Sequence, residues 1–131
     1  MIGKLGKKLG FGKRPEPPDM DWKGRNRELA DIIKAGDIAK ARELAQELLE
    51  YAERRFPKDA PEKASACNNM GMALMMDREY ELADECFREA LDMRKRILGP
   101  RHREVALVCL NLVELYRLQA QSILLESSVQ A

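Results

Sequence analysis

Ala64-Ser65-Ala66-Cys67-Asn68-Asn69-Met70 reads in step with Ala106-Leu107-Val108-Cys109-Leu110-Asn111-Leu112, the Ala, Cys and Asn coinciding at an offset of 42 residues, from 64 to 106. The breakers ahead of the two stretches correspond as well: Phe56-Pro57-Lys58-Asp59-Ala60-Pro61-Glu62 matches Leu98-Gly99-Pro100-Arg101-His102-Arg103-Glu104. Shifting the other way by the same offset sets Ala41-Arg42-Glu43 against Ala83-Asp84-Glu85, and Leu49-Glu50 against Leu91-Asp92. Self-similarity at a fixed period of this size means stacked supersecondary units, none of which buries its apolar face alone. The chain holds two full units and a trailing half.

Breakers and caps split each unit into two helices. Gly36 followed by Asp37 reads as a C-terminal glycine and a new N-cap, ending one helix near Ala35 and starting the next near Ile38. Asp59-Ala60-Pro61-Glu62 reads as an acidic capping box with proline in the first turn of a third helix, and Asp77 as the cap of a fourth that runs to Gly99-Pro100. A fifth helix is expected from about Arg103 to about Leu125, closing the stack. In the third helix Ala66, Cys67, Met70, Ala73 and Leu74 share one face, as do Tyr80, Ala83, Phe87, Ala90, Leu91 and Ile97 in the fourth. Gly71 and Ala83 are small where two helices of a hairpin approach closely. The fold class is therefore all-α, a short α-solenoid of antiparallel helical hairpins with about five helices and two and a half repeats. Residues 1–21 read as a flexible basic tail and spacer, 22–125 as the repeat domain and 126–131 as a C-terminal tail.

Cys67, Met70, Gly71, Leu74, Tyr80, Ala83, Phe87 and Ala90 resemble the tetratricopeptide signature in residue type and spacing. The long period, with Ile97-Leu98-Gly99-Pro100, His102, Val105-Ala106, Asn111-Leu112 and Leu115-Tyr116, is similar to the repeat of kinesin light chains and related bacterial proteins. The resemblance covers about residues 22–120. The first unit departs from it, with Leu29 in place of the small glycine and Ala45 where the second unit has Phe87; the third has Ala120 at the turn and Leu125 at the small-alanine position, so its second helix is expected to be absent. HEAT and armadillo repeats have periods of similar length and are the structural rival.

Composition agrees with packed helices: 45% of residues are hydrophobic, 5% aromatic and 34% charged. The formal net charge of +1 conceals Lys4, Lys7, Lys8, Lys13 and Arg14 in an acid-free start. No apolar run approaches the roughly 20 residues that span a bilayer, and no secretory signal pattern is present, so a cytoplasmic location is the expectation. The three cysteines Cys67, Cys86 and Cys109 form no Cys-x-x-Cys pair and read as reduced core residues. With His102 the single histidine, neither a metal site nor a catalytic base has partners, and the spacing of the glycines at 3, 6, 10 and 12 fits no phosphate loop. The chain is expected to be no enzyme and to need no cofactor.

What the resemblance implies instead is a concave groove lined by the first helix of each unit. It turns inward Lys23, Asn26, Arg27, Ala30, Ile33 and Lys34 from the first unit and Ser65, Asn68, Asn69, Met72, Met75 and Met76 from the second. The third contributes Leu107, Leu110, Asn111, Glu114, Arg117 and Leu118. Side-chain amides such as Asn69 and Asn111 both donate and accept, which suits pairing with the backbone of an extended peptide. Flexible thioethers offer a forgiving apolar contact. The cations Lys23, Arg27, Lys34 and Arg117 suggest an acidic partner. The leading expectation is an adaptor binding a peptide or helix of a protein partner in this groove. Ile123, Leu124 and Leu125, with Tyr116 and Leu118, serve either a homodimer or partner helix, or fold-back packing.

The alternative function lies in the tail. Ile2, Leu5 and Leu9, with Phe11, alternate with Lys4, Lys7, Lys8, Lys13 and Arg14 as in a helix that binds an anionic membrane surface. The glycines oppose a helix in water, so the tail is expected to be disordered there. Nucleic acid would engage the same cations, yet Phe11 alone is available for stacking, and this third reading ranks lower. Pro15-Glu16-Pro17-Pro18 reads as a stiff spacer.

Overall fold

A computed structural model describes residues 3–15 and 18–130, the side chain of Gln130 excepted. Ile2, one of the expected membrane contacts, and the middle of the proline spacer lie outside the described residues. The described residues form six helices in series: α1 (Gly3–Lys8), α2 (Trp22–Ala35), α3 (Ile38–Arg55), α4 (Pro61–Met76), α5 (Tyr80–Leu98) and α6 (Arg103–Gln130). Among the described residues there is no strand. From α2 onward each helix packs against the next, which is the short helical solenoid expected from the repeat.

The middle hairpin is the tightest. Along α4 the residues Ala64, Ala66, Cys67, Met70, Gly71, Ala73 and Leu74 are buried, and along α5 so are Ala83, Cys86, Phe87, Ala90 and Met93. Gly71 is required by its neighbour: a Cβ there would lie 2.7 Å from two ring carbons of Phe87. The first hairpin solves the same problem with the volumes exchanged. Leu29 and Ala45, one period before Gly71 and Phe87, are each 1% exposed, so the large side chain has moved to the first helix and the small one to the second. Its outer end is closed by Trp22, Tyr51 and Phe56, with ring centroids 5.0–6.1 Å apart.

The turns repeat more closely than the residues in them. Gly36 (φ 74°) donates to the Ile33 carbonyl and Asp37 to that of Ile32, a Schellman ending, and Asp37 caps α3. One period on, Arg78 (φ 62°) donates to Met75 and Glu79 to Leu74 in the same pattern, with Glu79 at the N-cap position. Asp77 is therefore not the cap of α5. It accepts from Arg42 at 2.6 Å, tying α3 to the end of α4. Asp59 is displaced in the same way: Ala60 occupies the N-cap of α4 without a side-chain bond, while Asp59 (φ 61°) accepts from Arg96 at 3.2 Å.

Three further expectations change. The N-terminal segment forms α1, ended by a Schellman turn at Gly10 (φ 82°), and turns Leu5 and Leu9 into the core beside α5, with Phe11 packed at its edge. Burying a leucine contributes about 1.5–3 kcal/mol, which outweighs the ~1 kcal/mol that Gly6 costs within the helix. Helix α6 runs on through residues 126–130. Cys109 is exposed, unlike Cys67 and Cys86.

Candidate partner-binding groove

The side-chain amides mark one face of the stack. Asn111 on α6 donates from Nδ2 to Oδ1 of Asn68 on α4 at 2.9 Å, and Asn69 on α4 donates to Oδ1 of Asn26 on α2 at 3.3 Å. These two bonds cross between the first helices of successive units, so α2, α4 and α6 lie side by side and α3 and α5 form the second layer. Asn69 and Asn111 do not contact each other; each pairs with an asparagine 43 residues earlier. Asn26 also donates to the Trp22 carbonyl at 2.8 Å, which holds the first rung in place. Its role as a rung was missed, although it was among the inward positions. An amide carries two N–H donors and an oxygen with two lone pairs, so one such bond leaves capacity for a ligand.

Met72, Met75 and Met76 are partly buried and packed against the core beside these rungs. Arg27 and Lys34 are exposed on α2. At the other end Glu114 and Arg117 pair through two hydrogen bonds of 2.7 and 2.9 Å, and the guanidinium holds the Glu114 carboxyl below its ordinary range. This face is thus amide and thioether at its centre, with cations at its α2 edge.

The basic segment is divided by its docking. Leu5, Leu9 and Phe11 turn inward, whereas Lys4, Lys7, Lys8, Lys13 and Arg14 are exposed. Lys8 reaches Glu85 of α5 at 2.7 Å and Arg14 approaches Glu47 of α3 at 3.9 Å. Being exposed, these pairs contribute little to stability.

Some polar groups lie where sequence gave no warning. Lys63 of α4 and Glu53 of α3 form a largely buried ion pair at 3.7 Å, and Arg94 donates to the Glu104 carbonyl at 3.2 Å from beneath α6. Burial pushes the Cys67 thiol well above its usual range and that of Cys86 up to about 12. Among the described residues no three His, Cys, Asp or Glu side chains are grouped to hold a metal ion, and no helix is long and apolar enough to cross a membrane.

Residues 64–104 match the family model of the tetratricopeptide repeat. That stretch spans α4, α5 and the turn into α6, where Gly71 meets Phe87. No curated protein and no solved structure matches the chain. Tetratricopeptide repeats belong to a non-enzymatic family that mediates protein interaction in general.

Proposed function

We propose that this chain, which carries a tetratricopeptide repeat, is an adaptor that holds an extended peptide or a helix of a protein partner against α2, α4 and α6. The observation that carries the reading is the pair of asparagine rungs, Asn69–Asn26 and Asn111–Asn68, which present amide groups at one-repeat intervals. A peptide backbone offers alternating donors and acceptors, and a row of amides can satisfy both without reading side chains. Met72, Met75 and Met76 supply adaptable apolar contact, and Arg27 and Lys34 favour acidic residues in the partner. A cytoplasmic setting suits this role.

The test is partner capture by the double variant Asn69→Ala, Asn111→Ala, beside the double variant Asn26→Ala, Asn68→Ala. The first is expected to lose capture several-fold with its helical content retained. Capture unchanged in the first variant contradicts the groove assignment.

A second reading is favoured by the outward Lys4, Lys7, Lys13 and Arg14: the N-terminal segment attaches the chain to an anionic membrane surface while the repeats hold cargo. Co-sedimentation with vesicles containing phosphatidylserine is then expected to fall when Lys4, Lys7 and Lys13 are changed to Glu. Equal sedimentation removes the tether. Nucleic acid at the same cations would be revealed by retention that weakens steeply with salt.

A further inference from the structure

The last helix is finished on one side only. Val105, Val108, Leu112 and Leu115 are buried against the body. Ala106, Cys109, Val113 and Tyr116 stand one period on from Ala64, Cys67, Gly71 and Leu74, all four of which are buried in the middle unit, and all four of the later residues are exposed. Directly opposite the buried side of α6 runs a stripe with alternating spacings of three and four: Arg103, Ala106, Leu110, Val113, Arg117, Ala120, Leu124 and Ser127, every one exposed. Leu110, Val113 and Leu124 are 62%, 63% and 67% exposed and follow one another along this single stripe, whereas scattered surface hydrophobics would need no partner.

What covers it is constrained by the rest of the chain. Head-to-tail stacking needs a complementary apolar face at the other end, and α2 offers none: Lys23, Arg27, Ala30, Asp31 and Lys34 are its exposed residues there, and none of the large exposed hydrophobics lies on α2. A contact of the stripe with itself about a two-fold axis meets no such obstacle. The stripe is self-complementary in one antiparallel register, centred on residue 115. Leu110 then faces Ala120, Leu124 faces Ala106, and Val113 faces the stem of Arg117, so each large side chain meets a small or pliant one. The Glu114–Arg117 pairs come together beside the axis with opposite charges in reach of both copies. The overhang of α6 is accommodated as well. Ser122, Ile123 and Glu126 of α6 line a pocket with Arg78 and Tyr80 at the start of α5, so only the last turn of α6 projects beyond it. In this register that projection lies along the opening turns of the other copy's α6.

We infer that the exposed face of α6 pairs antiparallel with α6 of a second copy of this chain, making the protein a two-fold dimer through Leu110, Val113, Arg117, Ala120 and Leu124. Leu110 and Arg117 stand at the α6 edge of the groove expected above, so the dimer covers that edge and leaves the asparagine rungs to a groove ligand.

Sedimentation equilibrium of the full chain, from micromolar to sub-millimolar, is expected to show twice the 15.0 kDa chain mass at the upper concentrations. The double variant Leu110→Glu, Leu124→Glu is expected to stay at the single-chain mass with unchanged helical circular dichroism, since both side chains are exposed. Register is read by a spin label on Ser127→Cys in a Cys109→Ala background. The antiparallel arrangement separates the two labels by about 36 Å along the helices, against about 10 Å for a parallel pair. A wild-type chain that remains single throughout, a dimer that survives both glutamates, or a label separation near 10 Å overturns the proposal.

Discussion

Helix α2 opens the stack and α6 closes it, both as first helices of a unit, and they end in opposite chemistry. The first hairpin is sealed. Leu29 fills the space that Gly71 leaves to Phe87 in the next unit, an aromatic cluster covers the outer end, and the outward side of α2 is Lys, Arg and Asp. Helix α6 keeps a unit's apolar pattern on both sides and has a covering helix on one. The contrast shows what a repeat period determines and what it does not. Periodicity dictates the faces between units, whereas the end surfaces depend on whether outward positions are polar, as capping units require for solubility.

The largest expected effect sets a covered position against its uncovered equivalent. Gly71→Val drives a side chain into the Phe87 ring and is expected to lose about 1–3 kcal/mol in urea unfolding. Val113→Leu, one period on and measured at a concentration where the chain is single, is expected to stay within about 0.5 kcal/mol. Similar losses at both would mean that α6 is covered as α4 is. Next is the docked N-terminus: Leu9→Ala should lower stability by about 2 kcal/mol, because the side chain is buried. Leu124→Ala with Leu125→Ala, measured at a concentration where the chain is single, is expected to change it little. The smallest effect concerns the turns. Arg78 adopts a left-handed conformation that Gly36 occupies without penalty, so Arg78→Gly is expected to gain up to about 1 kcal/mol and Gly36→Ala to lose about as much. A loss for Arg78→Gly would mean that the side chain makes a compensating contact.

Much of this architecture was legible. The 42-residue offset located α2 to α6, and the paired small and large residues at 71 and 87 identified the hairpin. Errors arose where one residue type can do two jobs. Asp59 and Asp77 looked like caps because acids favour that position, but each is used by an arginine on another helix, and the turn geometry carries the helix start past them. Following the offset from Gly36 and Asp37 to Arg78 and Glu79 would have located the true turn. The N-terminal helix was illegible for another reason. Glycine-rich local propensity opposes it, and it forms because Leu5 and Leu9 find the core, which is tertiary information. On the candidate binding face the asparagines were visible, but their pairing across units was not, since it depends on the stagger between neighbouring helices.

Cys67 and Cys109 are equivalent residues one period apart, one fully buried beneath α5 and the other on the open side of α6. Native thiol labelling at a concentration where the chain is single, read by peptide mass mapping, compares the two units directly. Cys109 is expected to react at once while Cys67, buried and with its thiolate disfavoured, reacts only on unfolding. Equal protection of both cysteines would contradict the account, because α6 would then be covered just as the middle unit is.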